Sequence, residues 1–278
     1  MNDSSPQNKS THPFLPQEKA LLQVLRSYPA PFGIAFSGGA DSSLLAHFAA
    51  AHLGRETIRL IHIHTPLAPG NETEQAQQTA EELGVELKIL SPEILGETEV
   101  QQNGPLRCYY CKKKIMSAAM ESLQQENIFT LCDGTNTDDL SDYRPGMKAA
   151  DELGIKHPLL EAGIGKKQIR LLARRCGIKN WMMPASACLA SRIPCGTPLD
   201  QTLLELARQA EQILRERFFF SGCRVRVFST TKVRIEVRTI HLRRLQRCLT
   251  AIHAKFALLG IETVEVASDG YCRGAMNP

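Results

Sequence analysis

The sequence predicts an α/β protein: a parallel sheet with helices on both faces, then a smaller α+β unit at the C-terminal end. Three observations lead there. Short apolar runs alternate with segments of helical apolar spacing from residue 32 to about residue 136, the pattern of parallel strands joined by crossover helices. From about Asp200 the rhythm changes to helix, strand, strand, helix, strand. Between the two, "PCGTPLD" at residues 194–200 concentrates proline and glycine. The predicted division is a disordered tail over residues 1–17, a larger α/β domain over 18–198 and a smaller α+β domain over 199–278.

Each element follows from local pattern. "FGIAF" is a first strand stopping at Ser37, and "DSSLLAHFAAAHLG" is a helix with Leu44, Leu45, Phe48 and Ala49 on one side and Gly54 at its end. "TIRLIHIHT" is a second strand, "NETEQAQQTAEELG" a helix closed by Gly84, and "VELKIL" a third strand. A helix runs from about Tyr109 to Gln125, and "IFTLCDGTN" is a fourth strand ending in a glycine turn. The C-terminal unit reads as helix ("QTLLELARQAEQILRERF"), strands ("CRVRVF", "KVRIEVR"), helix ("HLRRLQRCLTAIHAKFALLG") and strand ("TVEVAS").

Composition narrows the function classes. At 278 residues and 43% hydrophobic content the chain can bury a large core, and no stretch approaches the roughly 20 apolar residues of a membrane span. The polar, Ser- and Pro-containing start lacks the apolar run of a signal peptide, which predicts a cytoplasmic protein. A net charge of +4 implies no general affinity for nucleic acid, and "KKK" at 112–114 and "RRLQR" at 243–247 read as solvated helix faces. Nine cysteines, an odd number scattered along the chain, argue against a disulfide framework and direct attention to metal binding or catalysis.

"FSGGADSSLL" carries the first chemistry. Two consecutive glycines after a parallel strand let backbone N–H groups point inward, and the positive end of the following helix adds to that field, so the loop suits an anion. Ser37, Ser42 and Ser43 supply hydroxyls, Gly38 and Gly39 the backbone, and Asp41 an acceptor for Mg2+. The motif lacks the lysine of GxxxxGK[ST] and the third glycine of GxGxxG. It resembles the loop of the PP-loop ATP pyrophosphatases, which share the adenine nucleotide alpha hydrolase-like fold, cleave ATP between the α and β phosphates, and adenylate a carbonyl or carboxylate oxygen.

The cysteines carry the second chemistry. "RCYYCK" sets Cys108 and Cys111 as CxxC near a helix start, where the dipole favours thiolates, and Cys188 stands in the loop "PASACLASRIP". CxxC also serves zinc sites and redox pairs. Cys132, Cys176, Cys223, Cys248 and Cys272 read as buried or incidental thiols, while Cys195 lies near Cys188 in a Pro/Gly loop.

Taken in order, "FSGGADSSLL", "RCYYCK", "DGTNTDD", "HPLLEAGIGKKQIRLLARRCGI", "ASACLASRIPCGTPL", "CRVRV" and "SDGYCRGAMN" resemble the LarE family over nearly the whole chain after the tail. The resemblance implies an ATP-dependent sulfur transferase of nickel-pincer cofactor biosynthesis, acting on pyridinium-3,5-biscarboxylic acid mononucleotide and replacing carboxylate oxygen with sulfur. Cys188 matches the position at which one branch of the family sacrifices its own sulfur, leaving dehydroalanine. In a second branch two further cysteines, here Cys108 and Cys111, join it to hold a 4Fe-4S cluster, and this sequence has that pattern. Three thiolates leave one iron free for an exogenous sulfide, from sulfide itself or a donor protein, which favours the cluster reading. The resemblance also implies a homo-oligomer assembled through the C-terminal part. Two departures stand out. Cys195 occupies a position where an aromatic residue is common and could close the open iron, and the strand after Arg224 and Arg226 lacks the family's histidines.

The remaining candidates are placed by position. Gly134, Thr135, Asn136 and Asp138 fall at the carboxyl end of the fourth strand, where open α/β sheets bind ligands: Gly134 and Thr135 are assigned to ATP, Asp138 to substrate. Arg192 is expected to neutralise a phosphate or carboxylate, and Arg224 and Arg226 to share one strand face as a phosphate site. His62 and His64 are explained by strand alternation. Two rival functions share these features: a PP-loop enzyme of tRNA thiolation, and a noncatalytic nucleotide sensor in which CxxC holds zinc.

Overall fold

In the computed structural model, residues 14–141, 145–182 and 187–271 are described. Most of the expected tail, residues 1–13, the "PAS" of "PASAC" and the end of the chain from Cys272 lie outside them. Where the tail reading overlaps the described part it gives way to a helix, α1 (Pro16–Arg26), opened by Pro16 at its first turn and by the Glu18 carboxylate accepting the Leu15 N–H at 2.7 Å.

The elements then follow as β1 (Phe32–Ala35), α2 (Ala40–Leu53), β2 (Ile58–Ile63), α3 (Glu72–Leu83), β3 (Leu87–Leu90), α4 (Thr98–Gln101), α5 (Arg107–Gln124) and β4 (Leu131–Cys132). Three more helices complete the first part, α6 (Pro145–Glu152), α7 (Pro158–Glu161) and α8 (Lys166–Arg175). The C-terminal part contains α9 (Gln201–Glu216), β5 (Arg224–Val227), β6 (Lys232–Glu236), α10 (Leu242–Ala257) and β7 (Thr263–Val266).

β1 to β4 form one parallel sheet in the order β3-β2-β1-β4, with Phe32 opposite Ile58 and Gly33 opposite Leu131. β1 and β4, at the centre and on one side of it, are short and apolar and almost wholly buried, β2 is mostly buried, and the edge strand β3 is only half-buried, with Ile89 exposed. One face packs Ile34 and Leu60 against Leu44, Leu45 and Phe48 of α2 and Ile169 and Leu172 of α8. The other packs Ile61 and Leu131 against Met116, Ala119 and Leu123 of α5 and Ala150 of α6. Fully burying each of these Leu, Ile, Phe and Met side chains stabilises the fold by roughly 1.5–3 kcal/mol.

The fourth strand is shorter than its sequence pattern suggests. Only Leu131 and Cys132 pair with β1, and the backbone beyond is held instead by Lys156, which accepts the Asp133 N–H at 2.9 Å and donates to the Leu131 carbonyl at 2.9 Å.

β5, β6 and β7 form a second sheet, β5-β6 antiparallel and β6-β7 parallel, covered by α9 and α10. Its core does not close on itself. Leu67, Ile94 and Val100 from the first part, and Leu189, Ala190 and Ile193 from the loop before α9, pack with Leu204, Phe220, Val225 and Phe256. Hydrophobic packing therefore runs across the expected division at residue 198. Among the described residues no helix is long and apolar enough to cross a membrane.

Candidate functional site

The helix after β1 packs on one face of the sheet and the helix before β4 on the other, so the crevice between the carboxyl ends of β1 and β4 is the switch point at which open α/β sheets bind ligands. The glycine loop falls there. Gly38 has φ +73°, and a Cβ would lie 3.1 Å from the Ala76 backbone nitrogen, so only glycine turns the chain this close to α3. The Ser37 hydroxyl accepts from the Gly39 N–H at 3.3 Å and lies 3.2 Å from the Ser42 hydroxyl. Ser43 is buried at the first turn of α2 and donates its N–H to the Gly39 carbonyl at 2.9 Å. Across the crevice, a Cβ on Gly134 would sit 3.1 Å from both the Asp41 Cβ and the Ser42 nitrogen, so the β4 turn lies directly on the α2 N-terminus. Thr135 donates its N–H to Asp133, and Asn136 is bound to Asp139 through both its N–H and its amide.

Two functional neighbours were not picked out from sequence. Lys166, the first residue of α8, forms an ion pair with Asp41. Asn180 donates its amide to the Gly38 carbonyl and lies 3.4 Å from the Ser43 hydroxyl. The only sequence sign of the first was a lysine at a helix start inside "GIGKKQIRLL", an unusual place for a cation because it opposes the helix dipole. Asp138, expected to meet substrate, accepts the Lys166 N–H at 2.6 Å and so caps α8 beside that lysine.

The three thiols lie at the same end of the sheet. Cys108 and Cys111 occupy the first turns of α5, close to the helix start predicted at Tyr109, and Cys188 precedes a short 3-10 turn, Leu189–Arg192. Cys108 and Cys188 are exposed, Cys111 half-buried. Burial pushes the Cys111 thiol up to about 12, with Cys188 and Cys108 adding to the rise, so the three groups feel one another. Cys188 reaches solvent, yet protein packed around its sulfur raises its pKa while Arg107 and Arg192 pull it down. The Arg107 guanidinium lies 3.5 Å from the Cys108 sulfur, 3.4 Å from the Ala190 carbonyl, and is hydrogen-bonded to buried Asn103. Asn103 in turn accepts from Gly196, which fixes the loop carrying Cys195.

As a donor set, three thiols beside a cation suit an iron–sulfur cluster. Among the described residues, however, no three His, Cys, Asp or Glu side chains are gathered closely enough to hold a metal ion.

The arginines divide in a way the sequence did not indicate. Arg192, expected to bind a phosphate or carboxylate, is fully buried and pairs with Glu211 through Nε at 2.8 Å and Nη2 at 3.0 Å. Arg226 is also buried, giving Nη2 to Glu236 at 2.7 Å and Nη1 to the Ser191 carbonyl at 2.6 Å, while its Nε meets no acceptor among the described residues. Arg224 is half-buried, stacks 5.4 Å from the Tyr271 ring and gives Nη1 to its neighbour's carbonyl. Burial, then the charge of Arg192, lower its pKa, against the opposing pull of Glu211.

An ion network centred on buried Asp133 and His157 links the thiol-bearing helix to the turn that lies on the glycine loop. Lys112, next to Cys111, reaches Asp133 at 2.8 Å, Asp133 precedes Gly134, and its other oxygen lies 2.7 Å from His157 Nδ1. His157 Nε2 lies 3.2 Å from Asp151. Burial alone would raise the Asp133 carboxyl, but Lys112 and His157 hold it far below the usual carboxylate range. Burial alone would lower His157, but Asp133 and then Asp151 raise it above its ordinary 6.5.

Stability should therefore have two flanks. The Asp133 contribution is complete above the ordinary carboxylate value of about 3.9 and disappears as pH falls towards the depressed folded value. The His157 contribution is complete below about 6.5 and disappears as pH rises through the elevated folded value. Melting temperature measured from pH 3 to 9 should peak between those limits. Asp133→Asn should lower the peak and flatten the alkaline flank, and an unchanged alkaline flank would refute the assignment.

His62 and His64 converge on Thr73: His62 Nε2 and His64 Nδ1 each lie 3.0 Å from its hydroxyl, and His62 Nδ1 lies 2.8 Å from the Phe36 carbonyl.

Comparison with known proteins agrees with this geometry. The asparagine synthase family model matches residues 25–99, which contain β1, the glycine loop, α2, β2, α3 and β3. Pyridinium-3,5-bisthiocarboxylic acid mononucleotide synthase of Lactiplantibacillus plantarum is 32% identical over 244 residues, covering 88% of each chain. An uncharacterized protein of Synechocystis sp. is 31% identical over 88% of this chain and 91% of its own. An NH(3)-dependent NAD(+) synthetase of Methanococcoides burtonii is 36% identical over 58 residues, 21% of this chain and 22% of its own.

Proposed function

The chain belongs to the family of pyridinium-3,5-bisthiocarboxylic acid mononucleotide synthase, the LarE family, and we propose that it is an ATP-dependent sulfur transferase acting on a carboxylate of pyridinium-3,5-biscarboxylic acid mononucleotide. The observation that carries this reading is the placement of an anion-binding glycine loop and three cysteines at one end of one sheet, joined by Lys112, Asp133 and Gly134.

In the first step a substrate carboxylate oxygen attacks the α-phosphorus of ATP and pyrophosphate leaves, giving an acyl adenylate. Gly38, Gly39, Ser37, Ser42 and Ser43, with the α2 N-terminus, receive the phosphates. Gly134 and Thr135 line the nucleotide from the β4 side. Asp41 would hold Mg2+, and Lys166 would turn to the leaving pyrophosphate. In the second step sulfur attacks the acyl carbon and AMP leaves, so that the thiocarboxylate replaces the carboxylate. Arg224, half-buried on β5 with a backbone carbonyl as its hydrogen-bond acceptor among the described residues, would meet the substrate phosphate, and the Arg226 Nε–H would be a second donor.

Cys108, Cys111 and Cys188 would have to draw closer together to hold a 4Fe-4S cluster. When bound, the cluster would supply an iron without a protein ligand on which sulfide can be carried. Cys108 and Cys188 are exposed residues, Arg107 lies beside the Cys108 sulfur and would offset negative charge there, and Cys111 is half-buried.

The test is product analysis under anaerobic conditions with ATP, Mg2+, sulfide and the biscarboxylate mononucleotide. AMP, pyrophosphate and a substrate mass gain of about 16 Da for each oxygen-to-sulfur exchange are expected. ADP with inorganic phosphate, or AMP formation independent of the substrate, would overturn the reading.

A further inference from the structure

We propose that the buried Arg192–Glu211 pair is a positioning device for Cys188, holding the backbone from which that thiol projects; the inference rests on the reading of Cys188 as a sulfur-handling residue. A fully buried ion pair is retained at a desolvation cost, and replacing such a pair by apolar residues is often no worse for stability. What this pair adds is directional. Besides its two bonds to Glu211, Arg192 gives Nη1 to the carbonyls of Ala187 at 2.8 Å and Cys188 at 3.2 Å and to the Ser191 hydroxyl at 2.9 Å. Arg226 Nη1 takes the Ser191 carbonyl. Two guanidinium groups thus grip both ends of the turn.

Glu211 anchors the grip. Its Oε1 accepts the Val225 N–H at 3.0 Å as well as Arg192 Nε, so one carboxylate ties α9, β5 and the turn together. Leu189 and Ala190 are fully buried, and Leu189 donates its N–H to the Leu67 carbonyl at 2.8 Å. The turn is fixed on every side except the one on which Cys188 is exposed. Arg192 is therefore a positioning residue, acting on the sulfur through the backbone and not through substrate.

Arg192→Lys separates the roles, because lysine keeps the charge facing Glu211 but cannot also reach the carbonyls of residues 187 and 188. Sulfur-transfer kcat should fall on the order of 100-fold, as an ångström-scale misplacement of a reacting group can cause. Substrate KM and the rate of substrate-dependent ATP–pyrophosphate exchange should stay within about twofold of the natural protein. Hydrogen–deuterium exchange over residues 187–191 should rise while that of the glycine loop stays unchanged. The double variant Arg192→Met with Glu211→Met, which removes both fully buried charges of the pair together, should show the same loss of kcat and the same rise in exchange.

A rise in KM at constant kcat would mean that Arg192 meets the substrate, and unchanged kcat despite faster exchange would mean that the grip does not matter to the chemistry. Failure of both variants to fold would make the pair a stability element only. Each of these overturns the proposal. If the natural protein makes no thiocarboxylate, the sulfur-transfer reading fails, and the exchange at 187–191 still decides whether Arg192 holds the turn.

Discussion

Cys188→Ser should abolish thiocarboxylate formation while leaving substrate-dependent pyrophosphate release in place, because Cys188 is an exposed residue on a turn that is separate from the glycine loop. The companion variants decide how the sulfur travels. If the three thiols jointly hold a cluster, Cys108→Ser and Cys111→Ser should each lose iron, acid-labile sulfide and multiple turnover together, since two thiolates hold a cluster poorly. If Cys188 gives up its own sulfur, both variants should remain active, and used protein should lose the mass of hydrogen sulfide, about 34 Da, as cysteine becomes dehydroalanine. The half-buried Cys111, with its thiol pushed up to about 12, is a poor nucleophile, so activity that depends on it points to metal ligation. Intact-mass and metal analysis after anaerobic turnover separate the cases. An unchanged mass with iron and more than one product per chain supports the cluster, a stoichiometric loss at Cys188 refutes it, and zinc without turnover would favour the nucleotide-sensor alternative.

The parallel sheet, α2, α3, α5 and the whole C-terminal succession were legible because each rests on local periodicity and on glycine or proline stops, as at Gly54 and Gly84. The thiol-bearing helix was legible for the same reason, since Met116, Ala119 and Leu123 mark its buried side. What could not be read locally was how polar side chains choose partners. Arg192 and Arg224 look alike as arginines next to apolar residues. The first has Glu211 within reach on a helix 19 positions on, and the second has no carboxylate among its hydrogen-bond partners in the described residues. The packing that crosses residue 198 was not legible because Leu67, Ile94 and Val100 are unremarkable apolar residues whose core partners come from far along the chain.

Lys166 is the residue whose loss should damage the first chemical step most. It lies 125 positions from Asp41 in sequence, and the two form an ion pair at the mouth of the glycine loop. In the free protein this pair neutralises two charges that the proposed reaction would use apart, the carboxylate for magnesium and the ammonium for the departing pyrophosphate. Removing one such preorganised cation costs on the order of 100- to 1,000-fold in rate. Lys166→Met should therefore lower substrate-dependent ATP–pyrophosphate exchange by that factor, with the melting temperature nearly unchanged, because the pair is partly exposed and contributes little to stability. Asp41→Asn should lower the same rate and shift its dependence on magnesium to higher concentration. The double variant should be less impaired than the product of the two single effects, since residues serving one step are not additive. Full activity in Lys166→Met, or a loss matched by a fall in melting temperature, would show that the lysine only fastens α8 to the loop.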